Sequence, residues 1–379
     1  MTKRRANHEG SIYHRKDGLW CAQLSLDGKR LTKYCKSQRD CRDWIKSMVT
    51  RIDGGLSYEG TRITLEDFTR LWLKAKELSI RERTLFQYGQ LTNNYIYPSL
   101  GKMRLQDVRT AHIRAMQLGY HEAGTGPRTL QMIRSLLYSV FKQAVREGIL
   151  LRNPVEAVER PRVEHKEVFP LSEDQARQFL IAASGERNEA LFYLAIMTGM
   201  RQGELLGLMW SDLDWDKGVI HVQRQLQRIE RKGLFLTRPK TRSGKRKIKI
   251  GPGLLEHLSR HRARQLQESL AAGDTWEEQD LMFPNSLGKP LEPRRIFKEF
   301  KELLKKAGLP DIRFHDMRHT AISLLIDMGI PINAIQERAG HSKASVTTDI
   351  YGHAMSRAQD MAAERIEDLV APIAVKLTQ

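Results

Sequence analysis

The chain has 379 residues, with 63 Lys or Arg against 45 Asp or Glu and a formal net charge of +18; its isoelectric point is near 9.9. That length exceeds one ordinary domain and suits two or three, and the positive excess points to a polyanion, DNA or RNA first. The longest uninterrupted apolar run, Ala190 to Met197, is eight residues against the roughly 20 that span a bilayer, so no membrane segment is expected. Cys21, Cys35 and Cys41 are odd in number and match no zinc spacing. Lys3, Arg4 and Arg5 precede polar residues where a signal peptide would be apolar, so free thiols and a cytoplasmic location are expected.

Residues 1–60 carry 13 Lys or Arg against seven Asp or Glu. Ser11 to Arg15, Leu19 to Leu26 and Arg30 to Lys36 alternate as strands do, separated by Asp17-Gly18 and Asp27-Gly28, pairs that favour tight hairpin turns. A helix from Gln38 to about Arg51 covers one face through Trp44, Ile45 and Met48. Residues 1–55 therefore read as a small β-sheet plus helix domain. Arg15, Lys16, Lys29, Arg30 and Lys33 are its candidate DNA contacts, and a structural cap is the plainer alternative.

From Thr64 to Val158 the apolar period becomes helical: Leu65, Phe68, Leu71 and Trp72 share a face, as do Met132, Leu136, Val140 and Phe141. Residues 64–158 are expected to form a bundle of about four helices. Residues 159–170, with Pro161 and Pro170 around a charged stretch, read as a linker. Ser172 and Gln175 then offer a capping box at the start of a third domain, 171–379.

In that domain Ala190 to Met197 reads as a buried helix, Gly199 can end it in the left-handed conformation, and Arg201 opens a second helix whose first N–H groups would favour an anion. Glu204, one turn on, can hold the Arg201 guanidinium. Residues 228–249 hold ten Lys or Arg and a single Glu, and Leu234 to Lys240 with Lys245 to Ile250 read as a hairpin around Arg242-Ser243-Gly244. His315 and Arg318 are three apart, on one helix face. After Tyr351, residues Ala358, Met361, Ala362, Ile366, Leu369 and Val370 recur at helical spacing.

Breaking a DNA strand while conserving its bond energy requires a side-chain hydroxyl that displaces a sugar oxygen from phosphorus. It also needs fixed cations for the non-bridging oxygens and a proton for the departing oxygen. Arginine forks suit the first task because they match phosphate oxygens and stay charged.

Three patterns gather such groups: Thr198-Gly199-Met200-Arg201-Gln202-Gly203-Glu204-Leu205, His315-Asp316-Met317-Arg318-His319-Thr320, and Ala339-Gly340-His341-Ser342, with Tyr351 ten residues further. In this order they resemble the active site of the tyrosine site-specific recombinases of the phage integrase family. Residues 64–158 and 1–55 resemble that family's core-binding and arm-type DNA-binding modules. The resemblance implies a multidomain, mainly α fold: the N-terminal sheet-plus-helix domain, the helical bundle, and a mostly helical catalytic domain with a small antiparallel sheet.

It also implies Tyr351 as nucleophile forming a 3′-phosphotyrosyl link, Arg201 and Arg318 clamping the scissile phosphate, and His341 donating to a non-bridging oxygen. His315 would serve as general base or as a hydrogen-bond partner of the phosphate. Lys240 would protonate the leaving 5′ oxygen, because the family's lysine occupies the corresponding strand-turn position, although any base of 228–249 could be the acid. Arg242 and Lys245 are added as DNA contacts.

No cofactor or metal is implied. The partners are double-stranded DNA attachment sites, further copies in a homotetramer on DNA, and accessory excisionase and DNA-bending proteins. The tail after Tyr351 packs either on its own domain or on a neighbouring subunit. A type IB topoisomerase-like enzyme and a catalytically idle DNA-binding regulator are the alternatives. The arm-like domain argues against the first and the full set of site residues against the second.

Overall fold

A computed structural model of the chain describes residues 10–26, 29–53, 62–164, 170–229, 232–239, 244–340 and residue 366. The chain divides into two compact units, Met1–His165 and Lys166–Gln379.

In the first unit, β1 (Ser11–His14), β2 (Trp20–Leu26) and β3 (Lys29–Cys35) form an antiparallel sheet in chain order. Gly18, at φ +83°, turns β1 into β2. Opposed pairs share a face, so Trp20 with Cys35, Ala22 with Lys33 and Leu24 with Leu31 make one row. Gln23 with Thr32 and Cys21 with Tyr34 make the other. α1 (Gln38–Asp53) covers the first row, burying Cys41 and Met48 with half-buried Trp44 and Ile45 packed beside them.

The bundle follows as α2 (Leu65–Lys76), α3 (Glu82–Leu91), α4 (Thr110–Glu122) and α5 (Pro127–Arg146). α3 runs on through a wider-pitched helical stretch, Thr92–Gly101, that contains Pro98. The Thr64 hydroxyl caps α2 by accepting from the Asp67 N–H at 3.1 Å. Leu65, Phe68 and Trp72 are buried with Leu136, Val140 and Phe141, but Leu71, beside Trp72 at the border of that face, is 61% exposed. One apolar cluster includes Leu24 and Met48 together with these bundle residues.

The second unit is mostly helical: α6 (Glu173–Ala183), α7 (Glu189–Thr198), the single turn α8 (Gln202–Leu205), α9 (Pro252–Ala272), α10 (Pro293–Lys306), α11 (Asp316–Asp327) and α12 (Ile332–Ala339). The Ser172 and Gln175 side chains cap each other's backbone at the start of α6, as their spacing predicts. Phe179, Phe192, Phe300 and Phe314 pack ring against ring in the core, with centroids 5.4 Å apart for Phe179–Phe300 and Phe300–Phe314.

Two small antiparallel sheets flank the helices. One is β4 (Leu213–Asp214), β5 (Val219–Val222) and β8 (Arg246–Lys249); the other pairs β6 (Gln225–Ile229) with β7 (Gly233–Thr237). The hairpin expected between Leu234 to Lys240 and Lys245 to Ile250 is therefore not formed. β7 takes the strand just before it, placing Leu236 opposite Leu226, whereas β8 buries Ile248 opposite Ile220 of β5. Each strand finds the partner that continues its apolar face.

α8 sits on β6 with almost no space between backbones. A Cβ on Gly203 would lie 2.8 Å from the Leu226 carbonyl oxygen, so only glycine admits this approach. Gly203→Ala is expected to destabilise the protein by about 1–3 kcal/mol through overpacking, seen as a lower urea midpoint. Gly89→Ala in α3, where a Cβ would meet nothing within 4 Å, should leave the midpoint unchanged or raise it. Equal midpoints for both variants would mean that α8 is not held by this close approach.

Candidate functional site

α7 is apolar almost throughout and ends where Gly199 adopts φ +63°, its N–H donating to the Ala195 carbonyl at 3.0 Å. The chain then turns, and Arg201 stands as the residue before α8, at φ −73° and ψ 148°. The expectation that helical N–H groups here would hold an anion needs amending. α8 is one turn long, and the Arg201 N–H already donates to Glu204 Oε2 at 3.0 Å. The charge at this corner resides in side chains.

Glu204 is 2% exposed and receives two arginines. Arg201 Nη1 donates to Oε1 at 2.9 Å. Arg246, from β8, donates through Nη1 to Oε1 at 3.2 Å and through Nη2 to Oε2 at 2.9 Å. Burial pushes the Glu204 carboxyl upward. The hydrogen bonds and charge of Arg246, then the N–H and charge of Arg201, outweigh it and hold the group below the usual carboxylate range.

The second arginine of the site comes from α11. Asp316 opens that helix and is gripped by Arg313, whose Nη2 donates to Oδ1 at 2.8 Å. One turn further in, Thr320 accepts from the Leu171 N–H at 3.0 Å. Between them Arg318, 3% exposed, donates through Nη1 to the Gly199 carbonyl and through Nη2 to the Ala339 carbonyl, each at 2.7 Å.

The C-terminal end of α12 completes the corner. A helix leaves its last carbonyls without intrahelical donors and carries partial negative charge there. Three consecutive carbonyls at this end each face a different arginine: Arg338 O accepts from Arg246 Nε at 2.7 Å, Ala339 O from Arg318, and Gly340 O from Arg201 Nη2 in a long 3.5 Å contact. Gly340, at φ +70°, ends the helix in the left-handed conformation.

His315 stands at the start of α11, with its ring 5.2 Å from that of His319. It keeps solvent-accessible area at the surface, yet protein crowds closely around it. That enclosure, followed by the charges of His319, Arg318 and Arg201, pushes its pKa from 6.5 down to about 4. The imidazole is thus neutral at neutral pH and can accept a proton or a hydrogen bond.

The structure therefore brings Arg201, Arg318 and His315 to one corner. Lys240, His341, Tyr351 and Arg242 lie outside the described residues, as does the helical spacing after Tyr351 apart from Ile366. Lys245 is exposed beside Arg246. In the N-terminal sheet Arg30 pairs with Ser25, on the row that α1 does not cover, whereas Lys29 and Lys33 belong to the α1-side row of the edge strand. Arg15 lies 4.5 Å over the Tyr34 ring, and Lys16 is exposed.

Arg246 escaped the sequence reading. Its signal was the alternation Arg246-Lys247-Ile248-Lys249, which puts an arginine on the inward face with Ile248 and so demands a buried carboxylate. No described helix is long and apolar enough to cross a membrane.

If His315 is neutral in the free protein, its ring resonances should titrate with a midpoint well below 6.5 when followed by NMR. The sign follows from the cause, since enclosure and neighbouring cations disfavour the charged form. Between the folded and unfolded pKa values the unfolded chain binds more protons, so this histidine's contribution to stability is complete above about pH 6.5 and is lost as pH falls toward 4. A midpoint at or above 6.5 would show that the neighbouring arginines do not act on the ring.

Residues 170–357 match the phage integrase family, and residues 64–118 match the SAM-like N-terminal domain of phage integrases. A tyrosine recombinase XerC-like protein of Caldanaerobacter subterraneus is 30% identical over 365 residues, covering 90% of this chain and 93% of its own length. The ICEBs1 integrase of Bacillus subtilis is 27% identical, covering 79% and 82%. Among solved structures, the Tn1549 transposon integrase in complex with transposon right end DNA superposes with a TM-score of 0.68 at 23% identity, over 80% of this chain and 99% of that one. A lambda integrase tetramer bound to a Holliday junction gives a TM-score of 0.56 at 20% identity, over 92% and 96%.

Proposed function

The chain belongs to the phage integrase family of tyrosine recombinases, and from that premise we propose that it cleaves and rejoins DNA strands at specific sites through a 3′-phosphotyrosine intermediate and a Holliday junction, integrating or excising a phage or other mobile element. The observation that carries this reading is the meeting of Arg201, Arg318 and a neutral His315 beside the end of α12, with His341 next in sequence and Tyr351 ten residues beyond it.

In the proposed step Tyr351 Oη attacks the scissile phosphorus, the bond to the 5′ oxygen breaks, and the 3′ phosphate stays on the tyrosine. Arg201 and Arg318 hold the non-bridging oxygens with His341, where developing negative charge is stabilised by donors already in place. His315, neutral, takes the tyrosine proton or hydrogen-bonds the phosphate, and Lys240 protonates the leaving oxygen. The same chemistry run backwards on a second strand rejoins it, so no high-energy cofactor is consumed.

Double-stranded attachment sites are the substrate, worked on by four copies of the chain with excisionase and DNA-bending proteins as accessories. The similarity to a transposon integrase solved on DNA and to a lambda integrase tetramer solved on a Holliday junction supports DNA as the substrate and four copies acting on it. The N-terminal sheet is proposed to grip arm DNA through its uncovered row, where Arg30, Thr32 and Tyr34 line up with Gln23 and Arg15 lies over Tyr34. Exposed Lys16, Lys29 and Lys33 at its edges, and Arg242 and Lys245 in the second unit, add phosphate contacts whose strength falls as salt rises.

Tyr351→Phe keeps the ring and removes only the nucleophile. It should bind a nicked duplex carrying the core site with nearly unchanged affinity and give no covalent adduct on a denaturing gel. A shifted band from this variant would move the nucleophile to another tyrosine.

Lys240 can be separated from its basic neighbours with a substrate whose bridging 5′ oxygen is replaced by sulfur, a leaving group that needs no proton. Lys240→Ala should cleave that substrate at close to the parent rate, and Arg201→Ala should not. Rescue of Lys245→Ala or Lys247→Ala instead would relocate the acid along the segment that leads into β8.

A further inference from the structure

Arg246 opens β8 facing inward, 8% exposed. An arginine in such a place is costly unless its donors are met, and all three directions of its fork are engaged. Nη1 and Nη2 hold the two Glu204 oxygens, and Nε holds the Arg338 carbonyl. One side chain thus bridges three elements: β8, the corner between α7 and α8, and the end of α12. Arg201 stands on the second, residues 240–243 lead into the first, and His341 follows the third.

Glu204 is the shared partner that links this bridge to Arg201. With Arg246 in place its carboxylate is satisfied twice over and takes only Nη1 of the Arg201 guanidinium. Without Arg246, a buried carboxylate would be left with Arg201 as its single charged partner. It would draw that fork inward, because an unpaired buried charge is far costlier than a displaced side chain.

We propose that Arg246 is a positioning residue for strand cleavage: by holding both oxygens of Glu204, it keeps the Arg201 fork turned toward the scissile phosphate. This rests on the reading of Arg201 given under Proposed function.

The test uses full-length protein and a nicked duplex carrying the core site, mapped from the junction sequences flanking the gene. Single-turnover cleavage rate, half-saturating DNA concentration and melting temperature are measured for Arg246→Met, Arg246→Lys, Arg201→Lys and Arg246→Met with Arg201→Lys. A fork displaced by about 1 Å costs roughly 10²-fold in rate, so Arg246→Met should lose about that factor with half-saturation within about threefold of the parent. Arg246→Lys, which keeps a cation but cannot make all three contacts, should recover about tenfold of that loss. Because Arg246 acts through Arg201, its removal in the Arg201→Lys background should cost less than about threefold more.

Should Arg246→Met fail to fold, Arg246→Lys alone and with Arg201→Lys carries the same comparison. Rate losses that multiply in the double variant, or a half-saturation that rises by the same factor as the rate falls, overturn the inference. Cleavage by Arg201→Lys at the parent rate overturns the reading of Arg201 and this inference together. A normal loss at Arg201 with multiplied losses in the double variant overturns this one alone.

Discussion

A single carboxylate, Glu204, sets the geometry of the second unit's functional corner. It is 2% exposed, and a carboxylate there must be ionised and paired or else protonated. Two arginines from different elements settle that choice, one from the strand β8 and one from the turn after α7. Removing either partner of a buried pair of this kind typically costs about 3–5 kcal/mol. The corner therefore closes as one piece: the β8 register, the turn after α7 and the placement of Arg201 are satisfied together.

Around that pair the side chains that were proposed to hold phosphate are mounted on packed elements. α7 is anchored by Phe192, one of four clustered phenyl rings, and another of them, Phe314, lies just before His315 and the start of α11. Arg318 donates to two backbone carbonyls, so its orientation is tied to the ends of α7 and α12. Gly199 lets the end of α7 come close to α11: a Cβ there would sit 3.3 Å from that of Ala321. Sites held within fractions of an ångström are built on such elements more readily than on loops.

What could be read from the sequence follows from how local each signal is. The three N-terminal strands, α1, the bundle, the capping box of Ser172 with Gln175 and the left-handed stop at Gly199 each depend on residues within a few positions of one another, and the folded chain shows them. Leu71 matched the helical period of α2 yet faces solvent, because periodicity identifies a stripe but not how wide a stripe the neighbours cover. The partners of β7 and β8 were not legible. Pairing them with each other satisfies turn chemistry as well as pairing them with β6 and β5, and the choice is made by apolar faces that meet only in three dimensions. At the site, Arg201, His315 and Arg318 stood out by residue type and spacing, whereas Arg246 stood among ten bases in 22 residues and differed from them only in the face it occupies.

That last difficulty reaches beyond one residue. A net charge of +18 invites the inference that the arginines are there for a polyanion, but several of the best-placed ones spend their donors inside the protein. Arg246 is almost fully buried, its fork taken up by Glu204 and the Arg338 carbonyl, and Arg338 donates to the carbonyls of Lys249 and Met197. Their work is to terminate helices and hold a carboxylate, which neutral residues could not do at the same points. The charge that meets solvent is carried by other side chains, such as Lys16, Arg30, Lys33 and Lys245. Composition sums the two populations. Only an accounting of where each guanidinium hydrogen goes separates an arginine whose donors are free for an external anion from one whose donors are used inside the protein, and in this fold the half-exposed Arg201 and the buried Arg246 meet on the same carboxylate, Glu204.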